Sequence, residues 1–324
     1  MISAAQLLLS IFVSDLLPVF AIAGVGFLLA RFAGVQVQAV SRLTFHALAP
    51  ALVFNSLVTS TAEGGQVGRM TLFYALVVLS AGTMARLVAI PLRLDRRALS
   101  AFLLVIVCSN SGNYGLPVAM LAFGREALMF ASVYFIASSI FSYTGGVILA
   151  GSGKRSVRDA LKGVVRVPAV YGAVAAALTM AFGIRAPEPV MAPITMLSQA
   201  ALPMMIVVLG MQLERATRPE RPLVVGAAVV VSIILTPLVA LGIAHVVGLR
   251  GAALQAGVLQ TSMPTAVITT ILAVEFDVNP DFVTSVVFVS TLLSPITVTL
   301  MIAYLQLCRA AATVVVGRVF RPAI

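Results

Sequence analysis

Charge is what this sequence has least of. Only 10% of its 324 residues are Asp, Glu, Lys or Arg, while 60% are apolar; a soluble domain carries about a quarter charged residues. A chain of this composition cannot cover itself with polar surface, which excludes a water-soluble globule. Cysteine is nearly absent. Cys108 and Cys308 sit in apolar segments without partners at metal or redox spacing, so neither a disulfide framework nor a zinc site is indicated. No catalytic constellation, cofactor motif or metal site emerges, and an intramembrane enzyme would need one. No Lys or Arg precedes Arg31, and the first apolar segment carries Asp15 and Pro18, which argues against a cleavable leader with a basic start.

Acidic residues are scarce in the places where they would matter. Asp15, Glu63, Asp95, Glu126, Asp159, Glu188, Glu214, Glu220, Glu275, Asp277 and Asp281 are all expected in loops or at helix ends. Cation carriers and proton pumps hold their ions on carboxylates at mid-membrane, so a metal or organic cation is disfavoured as substrate. The formal charge of +10 does not point to nucleic acid, because the basic residues form short clusters between apolar runs and lack a shared patch with aromatics.

Those apolar runs dominate the chain. They cover 11–31, 39–58, 69–92, 98–123 and 127–150, then 164–183, 190–213, 222–248, 252–275 and 282–308. Crossing about 30 Å of hydrocarbon takes roughly 20 apolar residues, so the reading is an all-α membrane protein of ten transmembrane helices with no soluble domain. Cytoplasmic loops retain Lys and Arg. The loops after helices one, three, five and seven carry Arg31 and Arg42; Arg93, Arg96 and Arg97; Lys154, Arg155, Arg158, Lys162 and Arg166; and Arg215, Arg218 and Arg221, against single residues Arg69, Arg125, Arg185 and Arg250 on the other side. Both termini are therefore expected outside a bacterial-type inner membrane. Arg309, Arg318 and Arg321 in the tail, and Glu275, Asp277 and Asp281 in the inner loop after helix nine, run against that pattern.

The chain also repeats itself. Pro18 and Pro168 lie 150 residues apart, Pro50 and Pro203 153, and Pro117 and Pro264 147. Two five-helix halves follow, 1–150 and 164–308, joined by a basic linker at 151–163 and followed by a tail at 309–324. Because five is odd, such halves are inverted in the membrane.

Helix four contains Cys108-Ser109-Asn110-Ser111-Gly112-Asn113-Tyr114-Gly115-Leu116-Pro117, and helix nine the matching Gln260-Thr261-Ser262-Met263-Pro264-Thr265. Glycine permits unusual dihedrals, proline removes a donor, and Asn or Ser can satisfy backbone bared by an interruption. Both helices are expected to break. Paired discontinuities mark a transport site, where half-helix N-termini can hold a carboxylate without Lys or Arg. A kink relieved by neighbouring hydroxyls is the plainer alternative. Substrate contacts are assigned to Asn110, Gly112, Asn113, Tyr114, Pro117, Gln260, Thr261, Ser262, Pro264 and Thr265, with Asn55 one turn beyond Pro50 facing the same cavity. His46 is a candidate proton relay, although an interhelical hydrogen bond is the plainer use for it.

Leu48-Ala49-Pro50-Ala51-Leu52-Val53-Phe54, Asn110 to Pro117 and Ser290-Thr291-Leu292-Leu293-Ser294 resemble the auxin efflux carrier family, which includes plant auxin exporters and bacterial carriers of malonate and related acids. The resemblance covers essentially all ten helices. It implies a fold similar to that of bile-acid symporters: a scaffold and dimer surface from helices one, two, six and seven, a moving domain from the rest, and helices four and nine crossing near Pro117 and Pro264. It further implies elevator-type transport of a small organic anion, with the lipid bilayer and a second copy of the chain as partners. Potential-driven uniport is the simplest expected mechanism; proton- or sodium-coupled symport is the alternative. A permease subunit of a larger machine would need a docking loop, for which the linker is short.

Overall fold

The computed structural model describes residues 3–60, 64–150, 165–184, 186–214 and 221–319. The expected linker at 151–163 lies outside them. Every named element among these residues is a helix, and their only extended pairing is one isolated antiparallel bridge. In chain order they are α1 (Ala5–Phe32), α2 (Val37–Val58) and α3 (Gly65–Ala89), then α4 (Arg96–Val107). The helical run Ser111–Ala150 divides at Gly124, whose φ of 81° only glycine adopts freely, into α5 (111–123) and α6 (125–150). There follow α7 (Pro168–Ala181), α8 (Glu188–Leu213), α9 (Pro222–Val247), α10 (Gly251–Thr261), α11 (Ile268–Glu275) and α12 (Pro280–Val319).

Seven helical runs are long and apolar enough to cross a membrane among the described residues: α1, α2, α3, Ser111–Ala150, α8, α9 and α12 as far as Cys308. Ten apolar segments yield seven such runs for local reasons. Segment 98–123 stops at Val107, segment 252–275 divides into α10 and α11, and segment 164–183 forms a helix of 14 residues.

Two expectations need correction. Asp15 is not at a helix end: α1 begins well before it, and Asp15 sits in a π-helical turn, Phe12–Leu16, with only 8% of its surface exposed and a hydrogen bond from Ser14 Oγ at 2.8 Å. The segment was expected to start at residue 11, but Ser3 caps the helix through a reciprocal bond with Gln6. The helix expected to end near 308 continues to Val319, because the Ala310-Ala311-Ala312 stretch favours propagation.

Helices in lipid gain nothing from hiding apolar surface, so close association requires small residues that let backbones approach. The structure uses glycine at two crossings. A Cβ on Gly26 would stand 2.1 Å from the Val207 carbonyl oxygen, and one on Gly210 would stand 1.7 Å from that of Ala23, where α1 meets α8. At Gly172 it would stand 2.4 Å from the Pro50 carbonyl oxygen, where α7 meets α2. Outward faces are apolar: Leu79 is 68% exposed and Val246 86%, the surface expected where lipid is the solvent.

Three ties join the ends of the helices. Arg31 pairs with Glu214 at 3.2 Å, Arg69 Nη1 donates to the Gly248 carbonyl at 3.0 Å, and Arg97 pairs with Asp277. In the third, Asp277 of the acidic loop meets an arginine of a basic loop. Cysteines replacing Arg97 and Asp277 in a Cys308→Ser background should form a disulfide on mild oxidation, visible as a gel-mobility shift. Cysteines replacing Arg97 and Arg250 should not; the reverse result would break the arrangement.

Candidate substrate site at a helix crossover

The two interrupted segments meet. Backbone around Ser109 pairs antiparallel with backbone around Thr265: Asn110 N donates to the Pro264 carbonyl at 2.7 Å, and Ala266 N donates to the Cys108 carbonyl at 2.8 Å. Polar backbone released from helical bonding is thus satisfied by the other broken helix, as it must be away from water. Side chains complete the strut. Thr265 Oγ1 donates to the Val105 carbonyl at 2.8 Å, its amide donates to Ser290 Oγ at 3.2 Å, and Gln260 Nε2 reaches the carbonyls of Ser111 at 3.2 Å and Ala131 at 3.5 Å.

The chain re-enters helix α5 through a π-helical turn, Ser111–Gly115, that packs against α8. Gly115 N returns to the Asn110 carbonyl at 3.0 Å and Ser111 N to that of Ser109 at 2.8 Å. The amides of Gly112 and Asn113 find no acceptor among the described residues. These are the donors that a helix start leaves bare, and the helix dipole adds partial positive charge to them. Two further donors stand nearby. Asn110 is 5% exposed and its Nδ2 has no partner, while the half-buried Asn113 amide makes no hydrogen bond among the described residues.

The remaining expected contacts divide by role. Tyr114 is fully buried, accepts from Ser294 Oγ at 3.2 Å and meets the edge of the Phe20 ring. Gly112 and Gly115 lie at close approaches: a Cβ there would stand 2.7 Å from the Phe135 ring and 2.0 Å from Gln260 Oε1, so those side chains would have to shift. Pro117 lies buried in the first turn of α5. Thr261 and Ser262 donate to the carbonyl of Val258 at 2.6 and 3.2 Å. Asn55 Nδ2 donates to Ser198 Oγ at 3.3 Å, joining α2 to α8. His46 is exposed, with Nδ1 at 3.0 Å from the Arg42 carbonyl and its ring against Phe45; the structure does not bring it to the crossover.

Sequence reasoning missed Ser290 as a cap for Thr265, and Ser138, whose Oγ lies 2.5 Å from that of Ser111. It also missed the depth of Asp15, five residues or roughly 7–8 Å of helix from Phe20. Hydroxyls in apolar runs carry no distinguishing pattern. No group of three metal-ligating side chains occurs among the described residues.

Two relatives align over most of their length. An uncharacterized transporter of Methanothermobacter thermautotrophicus is 29% identical over 266 residues, covering 78% of this chain and 84% of its own. One of Methanocaldococcus jannaschii is 24% identical over 220 residues, covering 64% and 69%. The model of the membrane transport protein family matches twice, at residues 11–159 and 154–302. Together those matches take in nearly all the helices described above, and this chain belongs to that family, the auxin efflux carrier family of membrane transport proteins.

Proposed function

We propose that the chain is a secondary carrier for a small organic anion, a mono- or dicarboxylate, bound at the crossover and moved by an elevator-type displacement. The observation that carries this reading is the opening of α5. The backbone amides of Gly112 and Asn113, the Asn110 Nδ2 and the Asn113 side-chain amide all offer donors without acceptors. Bare donors buried without partners cost about 1–3 kcal/mol each, and an anion at that point would satisfy several at once.

A ten-span topology of inverted halves supports the reading. The double family match fits two halves. Two of the most extensive helix pairings, α1 with α8 and α7 with α2, are each other's equivalents if the first and sixth spans correspond, and likewise the second and seventh. Each end-to-end tie also joins loops that ten spans place on one face. In this scheme α1, α2, α7 and α8 are the scaffold, and α3 to α6 with α9 to α12 carry the substrate. The basic loops face the cytoplasm of a bacterial-type cell, the N-terminus lies outside, and a second copy of the chain packs on the scaffold.

The crossover itself contains no carboxylate or histidine, so uniport down the membrane potential, about 2.3 kcal/mol per charge per 100 mV, is the simplest drive for the anion alone. Burial of Asp15 favours a second reading in which that carboxyl, and not His46, carries a proton. Purified protein in liposomes should take up at least one acid from a panel of mono- and dicarboxylates, faster when the lumen is made positive. Uptake of none of them, in any imposed gradient, would sink the carrier reading. Asp15→Asn should leave uptake independent of pH if the proton reading holds, and unchanged in its pH profile if it does not.

A further inference from the structure

Two side-chain contacts join α2 to α6, and they stand at opposite ends of the seam between these helices. At one end Ser56 Oγ donates to Ser132 Oγ at 3.3 Å; at the other the ring of Phe45 meets that of Tyr143, with centroids 6.1 Å apart and planes tilted by 35°. Residues 45 and 56 are eleven apart on α2, and residues 132 and 143 are eleven apart on α6. Eleven residues make about three helical turns, roughly 16 Å, so the two contacts use one face of each helix. The later residue of α2 meets the earlier residue of α6, so the helices run antiparallel and in register over that length. The turn Ser111–Gly115 sits level with the middle of the seam. Ser138, between Ser132 and Tyr143, lies against Ser111 Oγ, and Phe135 is the ring that closes on Gly112. We infer that Ser56 with Ser132, and Phe45 with Tyr143, are two gates, one towards each face of the membrane, that control access to the bare amides at the start of α5.

The chemistry along the seam suits surfaces that separate and slide. Between the gates the same stripe of α2 carries Ala49, Leu52 and Val53, all buried, at four, seven and eight residues from Phe45 as one helix face requires. Those side chains hold no polar group whose bond would have to break. The stronger ties stay within one group of helices or the other. Arg31 with Glu214 and Asn55 with Ser198 join scaffold helices, while Arg69 with Gly248, Tyr114 with Ser294 and Gln260 with Ser111 join the remaining ones.

The two gates are unequal. Ser56 has one proton, shared between the Val53 carbonyl at 3.0 Å and Ser132 at 3.3 Å, and Ser132 gives its own to the Leu128 carbonyl at 2.8 Å. A shared bond of that length is weak. The ring gate instead buries apolar surface, and the His46 ring backs it, 5.6 Å from Phe45. The hydroxyl gate is therefore the weaker one.

Gates presuppose the carrier reading, but access can be measured without transport, so the two fail separately. Asn113→Cys is placed in a chain carrying Cys108→Ser and Cys308→Ser, and a membrane-impermeant thiol reagent is applied to whole cells and, separately, to inverted vesicles. Ser56→Ala should speed labelling roughly two- to tenfold from one face, the effect of losing one hydrogen bond. Phe45→Ala should speed it about tenfold or more from the opposite face, since a ring contact and buried area are both lost. Tyr143→Ala should match Phe45→Ala, so that a folding defect peculiar to one variant does not decide the matter. Each variant should leave the other face unchanged, which general loosening would not do. Unchanged labelling in all three variants, or equal acceleration from both faces, would overturn the gates. Carboxylate uptake into liposomes reports on the carrier reading, and its absence would leave the labelling result standing.

Discussion

Asn113→Ala lowers the initial rate of substrate uptake by roughly 10- to 100-fold, the loss expected when one hydrogen bond to a charged group disappears, while the protein elutes and melts like the unsubstituted chain. The two halves of that expectation have separate grounds. Asn113 is half-buried and makes no side-chain hydrogen bond among the described residues, so truncating it removes no internal hydrogen bond on which folding relies. Its backbone belongs to the turn whose amides stand bare, and an anion held by those amides lies within reach of the side chain. Asn113→Asp is the sharper variant. It preserves shape but places a negative charge beside the anion, and uptake should fall below that of the alanine variant. Should Asn113→Ala transport at the unsubstituted rate, the anion does not bind at the start of α5.

The contrast with Gln260 shows how much of this site could be read from residue types. Both breaks were legible, because Gly, Asn, Ser and Pro in the middle of apolar runs are poor choices for continuous helix. Their meeting was legible from the repeat and the family resemblance. What each polar side chain does there was not. Gln260 and Thr265 looked like substrate contacts, but their donors are committed to the carbonyls of Ser111, Ala131 and Val105, so they brace the crossover. Asn110 and Asn113 carry the same kind of chemistry and retain free donors. Only the path of the backbone distinguishes the two groups. Asp15 was misplaced because the capped first turns of α1 precede the apolar core of that helix and were not counted.

Gly210→Ala should be the most damaging single substitution where α1 meets α8, and Gly24→Ala should be harmless. In sequence the two glycines look alike, each a small residue inside a helical span. An added Cβ at Gly24 meets nothing within 4 Å, whereas at Gly210 it would lie 1.7 Å from the carbonyl oxygen of Ala23. The obstacle is backbone, so no side-chain rotation relieves it; α1 and α8 must separate. Overpacking of a core typically costs about 1–3 kcal/mol, and separating this interface should exceed that, since packing is what holds helices together in lipid. Gly26→Ala, opposed by the Val207 carbonyl at 2.1 Å, should behave like Gly210→Ala. Gly24→Ala should melt at or slightly above the unsubstituted temperature, because alanine is favoured over glycine in a helix by about 1 kcal/mol. Thermal unfolding followed by size-exclusion fluorescence separates the cases. Loss of monodisperse protein in Gly210→Ala and Gly26→Ala, with Gly24→Ala intact, would establish that the two helices touch backbone to backbone. Equal melting of all three would mean that α1 and α8 stand further apart and do not meet backbone to backbone.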